Sequence, residues 1–537
     1  MVTPVHNTLG KTTQGKASPE KVDVVIVGSG ASGSVYAATL AEAGKSVLVL
    51  EGGKSRSMDD LISSQIWARR LKWGAPNVEE QGTPIWYNFN SGHGYGGAAM
   101  HHYGVWPRYH PEDMKEQSLY GKAIDWPFEY DTLRPFYDEV QADVGISGDA
   151  EKEIWRPAGD PYPLPPVLVN QHGLTIAKGF AAKEMHTSPI PIAVLSQNYK
   201  GRPACIWDGW CDAGCPTGAL ANPLAVYIPR AVSAGARLQA ESHVTRVITN
   251  AKGDRAIGVE YVNANGERVI QHADVVVLAA FTVENPRILL NSATGAHPQG
   301  LANSSGLVGK NLLSHAAVMV FGMFESETHS YYGATGGQLF NQDRFDKTAI
   351  KDGFGSQQWE IALATKPNDL LGVCMSRPDL YGSALHDFMR KGVKHLGSMV
   401  AVCEDQPQEI NRVELSDKKD PHGMPIARTV YEYSKDALVL WDAAAKEGVE
   451  IMQAAGAKEA WHGPLGGQHI MGGTIMGEDA TKSVTTAESR THDVDNLFIG
   501  GGGVFPTSSC VNSTFTLHAT SLMSAQYIRD HWGEVSA

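Results

Sequence analysis

Cysteine is scarce in this 537-residue sequence, with six residues in all, so a disulfide scaffold is excluded as the source of its stability. Long apolar runs are missing as well. No stretch of about 18 apolar residues occurs, so no segment is expected to span a membrane. The opening "MVTPVHNTLGKTTQGKASPEK" has neither an apolar signal core nor a twin arginine. Residues 1–20 read as a polar, disordered leader, and the chain is expected to carry no export signal of its own. Positive charge is in deficit: 45 Lys and Arg against 58 Asp and Glu leave a net charge of −13, which opposes a general attraction to nucleic acid or anionic lipid. There is no internal repeat and no low-complexity tract. What remains is a chain with 42% hydrophobic residues, long enough to bury large cores in two or more domains.

The first strong positive signal is "VDVVIVGSGASGSVYAATLAEAGKSVLVLEGG", which runs strand, glycine turn, helix, strand and acid. Val22 to Val27 suits a buried parallel strand, and Gly28, Gly30 and Gly33 make the G-x-G-x-x-G turn of a dinucleotide-binding unit. The first glycine permits the tight turn, the second lets backbone approach a pyrophosphate, and the third lets helix pack on strand. The phosphate would sit at the helix N-terminus. Glu51 ends the second strand, where a carboxylate can accept ribose hydroxyls. The unit by itself serves a nicotinamide or a flavin dinucleotide.

Half of the cysteines crowd into "RPACIWDGWCDAGCPTGA", as Cys205, Cys211 and Cys215 in a C-x5-C-x3-C spacing. A structural zinc site wants four ligands, and no fourth cysteine or local histidine lies in the segment. A disulfide would strand one thiol. Iron–sulfur clusters are held by thiolates, and "CDAGCP" repeats the C-x3-C-P ending of bacterial ferredoxin runs. Three ligands suit a 3Fe-4S cluster, and three reduced thiols in a tight loop are the alternative. Cys374, Cys403 and Cys510 read as isolated thiols.

Several further segments carry a family resemblance. "GHGYGGAAMHHYGVWPR" (92–108), "VVVLAAFTVENPRILLNSA" (275–293), "LVGKNLLSHAAV" (307–318), "HIMGGTIMG" (469–477) and "NLFIGGGGVFPTSSCVNSTFTLHA" (496–519) are similar to blocks of the glucose-methanol-choline (GMC) flavin oxidoreductases. The cysteine loop resembles that of a subgroup of sugar and sugar-acid dehydrogenases, in one bacterial member of which the three matching cysteines bind such a cluster. The resemblance implies a mixed α/β and α+β fold, the GMC fold: a Rossmann-like FAD-binding domain built from separated segments, with a second, sheet-containing substrate domain. The expected partition gives 21–119, 201–319 (with the cysteine loop) and 456–537 to the FAD side, and 120–200 and 320–455 to the substrate side.

The same resemblance assigns residues. His469 takes the place of the family's catalytic histidine and Asn512 that of its His or Asn partner; neutral imidazole can accept the hydroxyl proton, and an amide can donate to the developing alkoxide. Gly96, Gly97, Val244 and Gly501 join Gly28, Gly30, Gly33 and Glu51 as cofactor-binding residues. Several relatives attach FAD through a histidine at the place of His101, which makes it the candidate for a covalent link, with a non-covalent flavin-loop histidine as the alternative and His102 as the lesser candidate.

The activity implied is hydride transfer from a hydroxyl of a sugar, glycoside or sugar acid to FAD, with electrons leaving through the cluster to an external acceptor. Related catalytic subunits travel with a small subunit carrying a twin-arginine peptide and pass electrons to a cytochrome c subunit. Co-export would place the chain in the periplasm; without it the enzyme is cytoplasmic. The alternatives are an oxygen-using oxidase with a metal-free loop and a redox-inactive FAD-binding protein.

Overall fold

The structure, a computed structural model, describes residues 19–64, 66–68 and 78–537. The expected disordered leader lies, but for its last two residues, outside the described residues. Among those described, no helix is long and apolar enough to cross a membrane.

The apolar run Val22–Val27 forms the central strand of a seven-stranded sheet. It pairs in parallel with Val47–Leu50 on one side and Arg268–Leu278 on the other. Parallel pairing needs a crossover, and the helix Ala31–Glu42 supplies it. Strand Arg237–Gln239 extends the sheet beyond Val47–Leu50, while Leu497–Ile499 joins Arg268–Leu278 in parallel. Ala256–Val262 and His243–Thr249 complete it as an antiparallel edge. Strands buried on both faces read as continuous apolar runs, which is why "VDVVIV", "VLVL" and "DVVVL" are legible as strands.

A second seven-stranded sheet is antiparallel, ordered Glu459–His462, Leu313–Met323, Leu396–Cys403, Gln357–Ile361, Leu339–Arg344 and Ser188–Pro189, with Gly466–Met471 also paired to Leu313–Met323. The 20-residue helix Lys435–Ala454 covers one face; its Leu440 and Ala444 pack with Trp359 and Val320 of the sheet in one apolar core. A three-stranded sheet, Arg412–Lys419, Pro425–Tyr431 and Val78–Gly82, stands beside it.

The chain crosses between these layers repeatedly. Residues 126–146, within the segment expected on the substrate side, contribute Trp126, Leu133 and Tyr137 to the dinucleotide core. Conversely, Gly466–Met471, within the last FAD segment, is a strand of the second sheet. The site therefore forms where the C-terminal ends of the parallel strands meet the second sheet, the usual place for a ligand in an open α/β sheet.

Candidate active site

The glycine turn is built as its spacing predicts. Gly28 has φ +97, and a Cβ there would meet the Ala279 carbonyl oxygen at 2.5 Å. Gly33 packs helix on strand so closely that a Cβ would sit 2.0 Å from the Gly28 oxygen. Gly30 is different: the nearest atom to an added Cβ is 3.9 Å away, and the residue lines a cleft that encloses roughly 1860 Å³ of empty space, its mouth included. Among the described residues no side chain caps the helix that starts at Ala31, and its first turn carries no acidic residue, leaving its N-terminal dipole for an anion.

Glu51 also lines this cleft and is buried. Its Oε2 accepts from the Ser29 amide at 3.1 Å and hydroxyl at 2.8 Å, and its Oε1 accepts from the amides of Gly53 at 2.9 Å and Gly94 at 3.0 Å. The carboxylate thus ties the glycine turn to the flavin-loop segment, and a ribose hydroxyl arriving here would share oxygens that already take two donors each. Gly97, His101, Val244 and Gly501 line the same cleft; Gly96 and Gly33 do not line it. Gly501 has φ +104, and a Cβ on it would meet nothing within 4 Å. A bare helix N-terminus, two glycines open to the cleft and a buried acid at the end of the second strand fit a dinucleotide such as FAD.

His469 and Asn512, 43 residues apart, are brought together at this cleft, with His469 Nε2 3.4 Å from Asn512 Nδ2. The strand Gly466–Met471 loses register with Leu313–Met323 between Gln468 and Met471, and at that break His469 adopts φ 57. Its amide donates to Asn90 Oδ1 at 3.0 Å instead of to the ladder. Its Nδ1 faces Nδ1 of His315 at 2.9 Å. His315 in turn directs Nε2 at the Ser508 carbonyl oxygen, 3.1 Å away.

These contacts fix the tautomers. A carbonyl only accepts, so His315 Nε2 carries a hydrogen; burial pushes His315 down to about 4, so the ring is neutral and its Nδ1 is an acceptor. His469 Nδ1 must then be the donor, and the lone pair of His469 lies on Nε2, beside Asn512. Burial, and then His315, hold His469 well below its ordinary range, so it is a neutral proton acceptor at physiological pH.

Asn512 is oriented from the second sheet. Gln358 Nε2 donates to its Oδ1 at 2.8 Å, and its Nδ2 donates to Glu360 Oε1 at 2.8 Å. Glu360 lines the cleft, and burial raises it to about 7 against the lowering effect of Asn512. The loop bearing Asn512 is clamped: Trp126 Nε1 donates to Thr507 Oγ1 at 2.8 Å, Tyr109 OH to the Ser508 oxygen at 2.6 Å, and Ser509 Oγ to Asp113 Oδ2 at 2.8 Å. His315 and Glu360, which contact His469 and Asn512, are residues that the motifs do not single out. His315 lies within "LVGKNLLSHAAV", so a signal for it was present; Glu360, in "SQQWEIALA", has none beyond an acid in a strand pattern.

His101 lines the cleft and directs Nε2 to the Ser91 carbonyl oxygen at 2.8 Å. His102, beside it, points Nε2 at the Ala221 oxygen at 2.8 Å.

The three cysteines of the loop lie outside the cleft lining and share one small apolar cluster. None is in a disulfide. Each sulfur receives a backbone amide: Trp207 N–H on Cys205 at 3.3 Å, Thr335 N–H on Cys211 at 3.5 Å and Leu220 N–H on Cys215 at 3.3 Å. The sulfurs do not all fall within 4.8 Å of one another, so they are not gathered on a single ion; a cluster takes one thiolate per iron, and hydrogen bonds to sulfur are what tune it. The loop backs onto the flavin-loop segment, since a Cβ on Gly214 would lie 3.3 Å from Met100 Cε.

Comparison with known proteins gives the chain a family. Family models described as GMC oxidoreductase match residues 22–317 and 407–521. The chain is 32% identical over 551 residues to the 2-methyl-1,2-propanediol dehydrogenase of Mycolicibacterium austroafricanum, covering 96% of this chain and 97% of that protein. It is 29% identical over 535 residues to the fructose dehydrogenase large subunit of Gluconobacter japonicus, covering 94% and 97%. A formate oxidase of Aspergillus oryzae shares the fold, with a TM-score of 0.67 at 14% identity over 97% of this chain and 100% of that one. The chain belongs to the GMC oxidoreductases, FAD-dependent enzymes acting on CH–OH groups.

Proposed function

We propose that the protein is an FAD-dependent dehydrogenase that oxidises a hydroxyl of a sugar, glycoside or sugar acid. The observation that carries the reading is the ordered pair His315–His469, which leaves the His469 Nε2 lone pair beside the Asn512 amide at the dinucleotide cleft. FAD, when bound along Gly30, Glu51 and Gly501, supplies a two-electron acceptor for the hydride that leaves the carbinol carbon. His469 Nε2 takes the hydroxyl proton, so the O–H and C–H bonds of the alcohol are exchanged for C=O. Asn512 Nδ2 donates to the oxygen as negative charge develops on it. Asn512 is buried and His469 half-buried, which lowers the local dielectric and strengthens both hydrogen bonds.

The likeness to a fructose dehydrogenase large subunit supports a sugar-like substrate, and two dehydrogenase relatives favour an acceptor other than oxygen. We assign Cys205, Cys211 and Cys215 as ligands of a 3Fe-4S cluster, which would supply one-electron transfer to an external acceptor; the three N–H···S contacts support that assignment. A small twin-arginine subunit and a cytochrome c subunit are the partners this reading calls for, and co-export would put the enzyme in the periplasm, the cytoplasm being its place without them.

The second reading, an oxygen-using oxidase with a metal-free loop, draws on burial, which pushes the Cys211 thiol up to about 12 and the Cys205 thiol higher. Iron and acid-labile sulfide in anaerobically purified protein separate the two. The expected result is three irons per chain with sugar-dependent reduction of a dye acceptor. Iron-free protein that makes peroxide from a sugar would replace the first reading with the second.

A further inference from the structure

Asn512 serves only if its N–H, and not its carbonyl, faces the reacting oxygen, and an amide has no intrinsic preference between the two. The second sheet supplies one. Strand Gln357–Ile361 alternates its side chains, so Gln358 and Glu360 share the face turned to the catalytic loop while Trp359 and Ile361 enter the core. Both polar residues are buried, Gln358 at 0% and Glu360 at 3% exposure. Gln358 continues a chain of amides. His110 Nε2 lies 3.2 Å from Gln342 Oε1, Gln342 Nε2 donates to Gln358 Oε1 at 2.7 Å, and Gln358 Nε2 donates to Asn512 Oδ1 at 2.8 Å. Asn512 Nδ2 ends the chain on Glu360 Oε1 at 2.8 Å.

Such a chain has a direction. Each amide offers its oxygen to one neighbour and its nitrogen to the next, so reversing one reverses all of them. At the far end Glu360 Oε1 is an acceptor, which holds Asn512 Nδ2 toward it and toward His469. The near end is anchored too: the His110 amide donates to Asp113 Oδ2 at 2.7 Å, and Asp113 forms a buried ion pair with Lys347 at 2.5 Å. Asp113 also holds Ser509, three residues before Asn512.

We propose that Gln358 is a positioning residue: by occupying the Asn512 carbonyl it fixes the side-chain amide with its donor toward the substrate oxygen. It touches neither substrate nor cofactor itself. The inference rests on the reading of His469 and Asn512 as the alcohol site.

The test uses FAD-loaded full-length protein carrying Gln358→Met, which keeps the volume and removes the donor. Gln357→Met is the control, because Gln357 is equally buried, points to the opposite face, and its amide has no hydrogen-bond partner among the described residues. The first readout needs no substrate. The infrared carboxyl band of Glu360, identified as the one lost in Glu360→Gln, is titrated in each variant. Burial and Asn512 are the causes acting on Glu360, with His469 the titratable group facing it across Asn512; a loosened Asn512 donor therefore moves the Glu360 midpoint upward. Expected is an upward shift in Gln358→Met and none in Gln357→Met. The second readout is anaerobic flavin reduction by whichever sugar reduces the wild type fastest. Gln358→Met should slow it by about ten- to a hundredfold, less than outright loss of a donor, at unchanged FAD content. A Glu360 midpoint equal to the wild type's, or an equal shift in both variants, overturns the proposal. If no sugar reduces the wild type, the functional reading fails instead, and the infrared titration still decides the role of Gln358.

Discussion

The Nδ1 atoms of His315 and His469 face each other at 2.9 Å, and only one of them carries a hydrogen. Because His315 spends its other nitrogen on the Ser508 oxygen, the hydrogen belongs to His469, and the basic nitrogen of His469 is the one beside Asn512. On the proposed reading, removing His469 removes the proton acceptor, whereas removing His315 removes only what selects the tautomer. His469→Ala is therefore expected to slow flavin reduction by about a hundred- to ten-thousandfold. His315→Phe should slow it by about ten- to a thousandfold, since a histidine in the wrong tautomer is a poor base. Both variants should keep their flavin. Anaerobic stopped-flow absorbance with a reducing sugar measures this, and a His315→Phe rate within a factor of two of wild type would show that the tautomer is set elsewhere.

Glu51 joins the turn at Ser29 to Gly53 and to the segment at Gly94 through four hydrogen bonds. Its loss should be felt as cofactor affinity more than as chemistry. Glu51→Ala is expected to weaken FAD binding by about ten- to a hundredfold, in line with hydrogen bonds to a charged group. Fluorescence titration of apoprotein with FAD provides the number. Unaltered affinity would remove Glu51 from the cofactor site and leave it as a structural clasp.

At His101, attachment of FAD through Nε2 would require the 2.8 Å contact to the Ser91 oxygen to open. With that contact kept, no bond to the cofactor forms through Nε2, and His101 would cradle it instead. Acid precipitation should release yellow flavin entirely into the supernatant, and flavin that stays in the washed pellet of wild type but not of His101→Ala would establish the covalent link.

Legibility followed sequence distance. The dinucleotide unit is readable because Gly28, Gly30, Gly33 and Glu51 act within one strand, turn, helix and strand, where spacing alone sets geometry. His469 and Asn512 are readable through the segments around them. His315 is paired with His469 across 154 residues of chain, and the contact exists only because Leu313–Met323 and Gly466–Met471 are neighbouring strands that slip register at Gln468. No local pattern encodes that slip. Glu360 and Gln358 are hidden for a related reason: a strand with alternating polar residues ordinarily turns them to solvent, and here the polar face is covered by the catalytic loop. The separated-segment architecture was legible as a whole, but the packing of Trp126, Leu133 and Tyr137 into the dinucleotide core depends on helix Tyr130–Val144 docking on Thr514–Asp530 from the other end of the chain.

Glu360 should make stability depend on pH with a definite sign. Burial raises its carboxyl from an ordinary 4.5 to about 7, so between those values the folded protein binds a proton that the unfolded chain has released. Stability then falls as pH rises through that window, because the native state binds the more protons. The stabilising contribution is complete below about pH 4.5 and gone above about pH 7, and its upper bound is on the order of 3 kcal/mol. Glu360→Gln keeps the shape and an acceptor for Asn512 Nδ2 while abolishing the titration. Its melting temperature relative to wild type should therefore rise steadily between about pH 5 and pH 7 and level off beyond. Scanning calorimetry of both FAD-loaded proteins across that range measures the difference. A gap that stays constant with pH would mean that Glu360 titrates alike in the folded and unfolded chains, and its raised value would have to be abandoned.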